Sequence, residues 1–241
     1  MSDVNEGPGR FTLEIRHTMI GALQQIHDLG WTPGAVIDIG VATGTAGLYQ
    51  FWPDATYCMI EPSPASMPYM ERLSSRLSKV VIFNEGASDR TGVATVAKHP
   101  EVVNVLFADK PKWEVIEVPV RPCDDMVREA GLEGPYLYKV DTDSHEMEIL
   151  RGSERTLEKT DVVIIELNFY NVLRGRALPG EIMMFLLDRG FQPFDFGDRN
   201  YATSGVLRGL DFVFVRGDSE LFETAFRSTA KKRGDRTKVK W

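Results

Sequence analysis

Residues 35–62, AVIDIGVATGTAGLYQFWPDATYCMIEP, run from a short apolar segment through a glycine-containing turn into a helical pattern, then out into a second apolar segment. Such a strand–turn–helix–strand unit joins parallel strands, because a chain that returns through a helix re-enters the sheet in the direction in which it left. The alternation recurs downstream. A helix over 64–77 precedes a strand that ends near Asn84, a helix over 123–130 precedes PYLYKVD, and a helix over 145–157 precedes DVVIIELN. A further helix over 178–189 leads to FQPFDF, but no long helix separates that strand from the last apolar run, LDFVFVRG. So short a connection implies one antiparallel pairing at the edge of an otherwise parallel sheet. The fold class is α/β, with helices on both faces of the sheet.

Ahead of this alternation, Leu13, Ile15, Met19, Ile20, Leu23, Ile26 and Leu29 recur mostly at three- and four-residue spacing, which predicts an N-terminal helical segment within residues 1–30. Residues 31–220 form the main domain, with a β-rich insertion at about 91–120, where apolar pieces are separated by Pro, Gly and polar residues. Residues 221–241 carry Lys231, Lys232, Arg233, Arg236, Lys238 and Lys240 and are expected to form a solvated basic tail. Against that local patch the whole chain has a formal net charge of -7, which argues against a nucleic-acid surface covering it. No window approaches the roughly 20 apolar residues of a membrane span, and the polar, acidic start does not read as a secretory leader. Cys58 and Cys123 fit no Cys-x-x-Cys pair, so neither a disulfide framework nor a zinc site is expected. A cytoplasmic protein with no membrane and no nucleic-acid partner is the expectation, and its oligomeric state is left open.

The turn VIDIGVATGTAG places Asp38 two residues before Gly40 and a second glycine at Gly44, and Glu61 closes the next strand. In a doubly wound sheet this turn lies at the carboxyl ends of the strands, where nucleotide ligands bind, and a carboxylate ending the second strand can accept hydrogen bonds from ribose hydroxyls. A dinucleotide site calls for G-x-G-x-x-G, whereas the spacing here is G-x-x-x-G-x-x-G. A carboxylate at Asp38 also suits a cationic amino-acid ligand such as S-adenosylmethionine better than a pyrophosphate. Farther on, KVDTDSHEMEIL gathers Asp141, Asp143, Glu146 and Glu148 behind an apolar strand. A calcium loop would need Gly at its sixth position and Glu at its twelfth. Counted from Asp141, those places hold Glu146 and Gly152. Glu146 and Glu148 are read as acids that favour a helix start, with Asp143 or Ser144 as its cap.

Several stretches, in order, resemble the FkbM family of S-adenosylmethionine-dependent methyltransferases. VIDIGVATGTAG is similar to the family's cofactor turn, MIEPSP to its ribose-binding strand end, and FNEGASDRTG to the segment that places an Ala and an Asp near the adenine. VPVRPCDDM, KVDTDSHEMEILRGSERTL and VVIIEL resemble the strands and helix starts that follow in the family. Two positions depart from its pattern: Ser144 stands where Gly is frequent and Cys123 where Leu is. The resemblance implies a Rossmann-like class I methyltransferase fold, a mostly parallel seven-stranded sheet with an antiparallel last strand. Carried onto this chain, it implies cofactor contacts from Asp38, Gly40, Ala42, Thr43, Gly44, Glu61, Pro62, Ser63, Ala87, Ser88, Asp89 and Asp141. It further implies methyl transfer, usually to an oxygen of a sugar, a polyketide or another small-molecule acceptor.

Methyl transfer from a sulfonium is an in-line displacement, so an enzyme mainly orients the acceptor and removes its proton. The fourth strand of the unit ends beside the first, so Asp141 is expected to point toward the methyl group as a catalytic or substrate-positioning residue. His145 is the second candidate, because an ordinary histidine suits a base near neutral pH. In that position a histidine also serves simply to cap or pack. Glu166 and Asn168 close the next strand, and with Asp141 they offer an oxygen-rich set for a divalent metal. The plainer alternative is that Glu166 hydrogen-bonds the backbone or Lys139. Two other functions compete with the enzyme: a cofactor-binding module without catalysis that acts as a partner protein, and a nicotinamide-dependent oxidoreductase, against which the missing G-x-G-x-x-G counts.

Overall fold

A computed structural model describes residues 17–98, 105–107, 114–143, 145–171 and 176–232. The N-terminal helix α1 spans Met19–Asp28, and the Thr18 side chain caps it by accepting from the Gly21 N–H at 3.1 Å. The earlier turns expected for this helix, and Ser144, lie outside the described residues. The glycine unit folds as β1 (Ala35–Ile39), α2 (Ala46–Phe51) and β2 (Thr56–Ile60). A 3-10 turn at Pro64–Ser66 opens α3 (Met67–Ser74), which is followed by β3 (Lys79–Phe83).

The expected insertion is a second small sheet. It takes β4 (Gly86–Ser88), β5 (Gly92–Lys98), β6 (Val105–Phe107) and β7 (Val115–Pro122) in the order β4-β7-β5-β6, and so begins before residue 91. Val96, Val118 and Val120 form its own core. The main alternation then resumes with α4 (Cys123–Glu129), β8 (Tyr136–Val140), α5 (Glu146–Arg151), α6 (Glu154–Glu158), β9 (Thr160–Asn168), α7 (Pro179–Leu187), β10 (Phe191–Tyr201), β11 (Leu207–Arg216) and α8 (Glu220–Lys232).

The main sheet runs β10-β11-β9-β8-β1-β2-β3. Strands β3, β2, β1, β8 and β9 are mutually parallel, whereas β11 is antiparallel to both of its neighbours. The last strand is thus antiparallel, but it is inserted between β9 and β10 instead of being added at the edge. Strands β1 and β8 are buried along their whole length, which is why they read as apolar runs and not as alternating ones. Their side chains nonetheless alternate between two cores. Ile37, Ile39, Tyr138, Val140 and Ile165 face α4 to α7, while Val36, Leu137, Val162, Ile164 and Val213 face α1, α2, α3 and α8. Leu221 ties α8 into the second of these cores, so the segment expected as a tail begins with a packed helix.

The single helix expected over 145–157 is two, α5 and α6, broken at Gly152. A Cβ added to Gly152 would lie 1.8 Å from the Ser88 carbonyl oxygen. The break therefore lets the helix end approach β4 at a distance no side chain would allow. Glu146 is buried, not solvated, at the start of α5.

Candidate functional site

The sheet order reverses at β1: the chain leaves β1 toward β2 on one side and later fills β8 and β9 on the other. Ligands of open α/β sheets bind outside the strand ends at such a switch point. Here the ends of β1 and β8 meet at Gly40 and Asp141. The Asp141 N–H donates to the Ile39 carbonyl at 3.1 Å, and Gly40 has φ +80. A Cβ at Gly40 would stand 1.8 Å from the Asp141 carbonyl oxygen, so only glycine allows both the turn and the contact.

Glu61, at the end of β2, closes the other side of the turn. One carboxylate oxygen accepts from the Ala42 N–H at 3.0 Å and the other from the Ser63 N–H at 2.8 Å. Burial pushes this carboxyl above the ordinary range, although those two N–H donors oppose the shift. The Asn84 amide holds the same strand end by donating to the Glu61 and Ser63 carbonyls at 2.7 and 3.2 Å. Pro62 and Ser63 are buried behind it, Thr43 is exposed at the tip of the turn, and Ala42 adopts a positive φ of 49°. Gly44 closes the turn by donating its N–H to the Val41 carbonyl at 2.7 Å.

Asp38 is wholly buried beneath the turn. Its Oδ2 accepts from the Tyr49 hydroxyl at 2.5 Å, and its Oδ1 lies 3.3 Å from the Lys139 Nζ. Lys139 is 3% exposed. Its ammonium also donates to the Gly40 carbonyl at 3.0 Å and lies 3.4 Å from the Asp141 Oδ2. Burial alone would lower its pKa, but Asp38 and Asp141 outweigh burial and raise it, so the lysine stays charged. The lysine thus serves Asp38 and Asp141 rather than Glu166. Nothing in a five-residue apolar strand announces this except the lone cation itself, two positions before Asp141 and on the same face. The Asp141 side chain is 47% exposed, which leaves it open to the crevice.

Ala87 and Ser88 are buried on β4, and Asp89 beside them pairs with Arg90 at 3.3 Å. The structure brings His145 to this segment: its Nε2 lies 3.2 Å from the Ser88 Oγ, and its Nδ1 lies 3.7 Å from the Glu148 carboxylate. Burial lowers its pKa despite Glu148, which favours the neutral ring.

Near the end of β9, Glu166 is the register partner of Asp211 in the middle of β11. Burial first, then the charges of Asp141 and Asp143, push Glu166 up to about 8, and burial with Asp141 pushes Asp211 up to about 7. Asp211, the one acid within the run LDFVFV, was not among the sequence candidates. Asn168 commits its side-chain oxygen to the Tyr170 N–H at 3.0 Å. Among the described residues no three His, Cys, Asp or Glu side chains are placed to hold a metal ion. With that oxygen of Asn168 committed to Tyr170, the expected set of Asp141, Glu166 and Asn168 is not gathered as a metal site among the described residues. The glycine turn fits a nucleotide-like ligand better, since it lies at the switch point with Glu61 on one side and the half-exposed Asp141 on the other.

The sequence model of the methyltransferase FkbM domain matches residues 38–193, well over half of the chain. The 2-O-methyltransferase NoeI of Sinorhizobium fredii is 25% identical over 176 residues, covering 63% of this chain and 70% of that protein. Among solved structures, the N-methyltransferase NodS from Bradyrhizobium japonicum WM9 aligns with a TM-score of 0.47 at 9% identity, over 82% of this chain and 93% of that one. TYW2 of M. jannaschii in complex with AdoMet aligns at 0.38 and 14% identity, over 81% and 76%. From Asp38 in β1 to Pro193 in β10, the matched span holds the switch point, the glycine turn and the Lys139–Asp141 strand end, and the chain belongs to the FkbM methyltransferase family.

Proposed function

We propose that this chain is an S-adenosylmethionine-dependent O-methyltransferase acting on a hydroxyl of a sugar, a natural product or another small molecule. The observation that carries the reading is the contact of Gly40 with Asp141, which sets a ligand cradle and a half-exposed carboxylate side by side at the switch point. The sequence relative NoeI is a 2-O-methyltransferase, which supports oxygen as the acceptor atom. When bound, the cofactor supplies an electrophilic methyl group on a sulfonium. In this reading Glu61, whose orientation two backbone N–H groups fix, accepts from ribose hydroxyls, and the segment of Ala87, Ser88 and Asp89 meets the adenine. Asp141 orients the acceptor hydroxyl and takes its proton as the oxygen attacks. Lys139 holds that carboxylate in place and offsets part of its charge. His145, neutral and tied to Ser88, is the second proton acceptor to be tested.

The test is transfer of a labelled methyl group from S-adenosylmethionine to a panel of hydroxylated acceptors. A general base contributes about 10²- to 10⁴-fold, so Asp141→Asn should lower kcat by that factor. His145→Gln should have the smaller effect. Near-wild-type turnover in Asp141→Asn would remove that residue from the chemistry.

A further inference from the structure

Asp38 is the acid that sequence places beside the ligand, yet its carboxylate is fully buried, with one oxygen turned to Lys139 and the other to Tyr49. Tyr49 is only partly buried, one helical turn into α2, and its hydroxyl also accepts from the Thr45 N–H at 3.1 Å at the start of that helix. The two bonds set the direction of the hydroxyl: its proton goes to Asp38. Burial first, then Asp38, hold the phenol far above its ordinary pKa, so that proton stays in place. A hydroxyl whose proton is committed to a carboxylate can meet a ligand only as an acceptor, and a carboxylate behind it makes it a stronger one. Its complement is a donor with positive charge. Resting on the S-adenosylmethionine reading, we propose that Tyr49 is the group that meets the ammonium of the cofactor's amino-acid end, with Asp38 and Lys139 acting through it as positioning residues.

Tyr49→Phe removes the hydroxyl and keeps the ring, which packs edge-on against Tyr57 with centroids 5.4 Å apart. Binding to the intact chain is measured by calorimetry with two probes. S-Adenosylhomocysteine carries the amino acid; 5′-methylthioadenosine keeps the nucleoside and sulfur but lacks it. The expected result is that Tyr49→Phe binds S-adenosylhomocysteine about 10- to 100-fold more weakly while 5′-methylthioadenosine binds both proteins alike. In turnover, KM for the cofactor rises and KM for the acceptor does not. A purely structural role would change both probes together. Unchanged or tighter S-adenosylhomocysteine binding by Tyr49→Phe would overturn the proposal, and tighter binding would mark the hydroxyl as a stopper that the ligand displaces. Failure of the wild-type chain to bind S-adenosylhomocysteine removes the underlying reading and this proposal with it.

Discussion

Replacing Lys139 by Met keeps the length of the side chain and removes the positive charge that faces Asp38 Oδ1 at 3.3 Å. The consequences follow from where each partner sits. Asp141 is half-exposed and loses little, because water replaces a surface counter-ion at a cost of about 0–1 kcal/mol. Asp38 is fully buried and is left with the Tyr49 hydroxyl alone, and the Gly40 carbonyl loses its donor. Removing one partner of a buried pair costs about 3–5 kcal/mol, and in a chain of this size each kcal/mol lowers Tm by about 2–4 °C. Lys139→Met should therefore unfold about 6–20 °C below the wild type. The pKa of Lys139 is raised by folding, so the pair's contribution is fully present below the unfolded value of 10.5 and is lost only as pH rises through the higher folded value. The deficit should be constant across neutral pH. The assay is urea and thermal unfolding of the wild type, Lys139→Met, Asp38→Asn and the double variant. Because the cost arises from an unpaired charge, the double variant should recover most of it. A Lys139→Met protein within about 1 kcal/mol of wild type, or a double variant as unstable as the two losses added together, would refute this account of the pair.

Two further outcomes follow from the same strand ends. Gly40→Ala puts a Cβ where the Asp141 carbonyl stands and adds about 1–2 kcal/mol for a left-handed backbone, so Tm should fall and methyl transfer should drop about 100-fold as β1 and β8 are forced apart; a normal rate and Tm would contradict the contact. Glu166 titrates at 4.5 when unfolded and at about 8 when folded, so between those values the folded chain holds a proton that the unfolded chain releases. Its contribution to stability is complete below pH 4.5 and is lost as pH rises through 8. Glu166→Gln should gain stability relative to wild type between pH 5 and pH 8.5 by urea unfolding, and a pH-independent difference would show that the carboxyl is not raised.

The parallel core was legible because β1 and β8 are buried on both faces and advertise themselves as apolar runs. The open-sheet rule then placed Gly40, Glu61 and Asp141 around one crevice, and the structure sets Gly40 and Asp141 in direct contact. What escaped the sequence is how side chains at those positions spend their polar atoms. Asp38 reads as a ligand-facing acid until Lys139 and Tyr49 are seen to engage both of its oxygens. Tyr49 sits four residues after Thr45, and side chains on a helix lean back toward its N-terminus, so its reach to the turn had a local signal. Its partner choice had none. His145 shows the same limit: its position at a helix start was readable, but its bond to Ser88 depends on the close approach that Gly152 permits, and no spacing rule links residues 57 positions apart.

Calorimetric titration of the wild-type chain with S-adenosylhomocysteine tests the central claim most directly. The account predicts saturable binding at one site per chain, abolished in Gly40→Ala and insensitive to NAD. No binding of S-adenosylhomocysteine, or binding of NAD in its place, would contradict it.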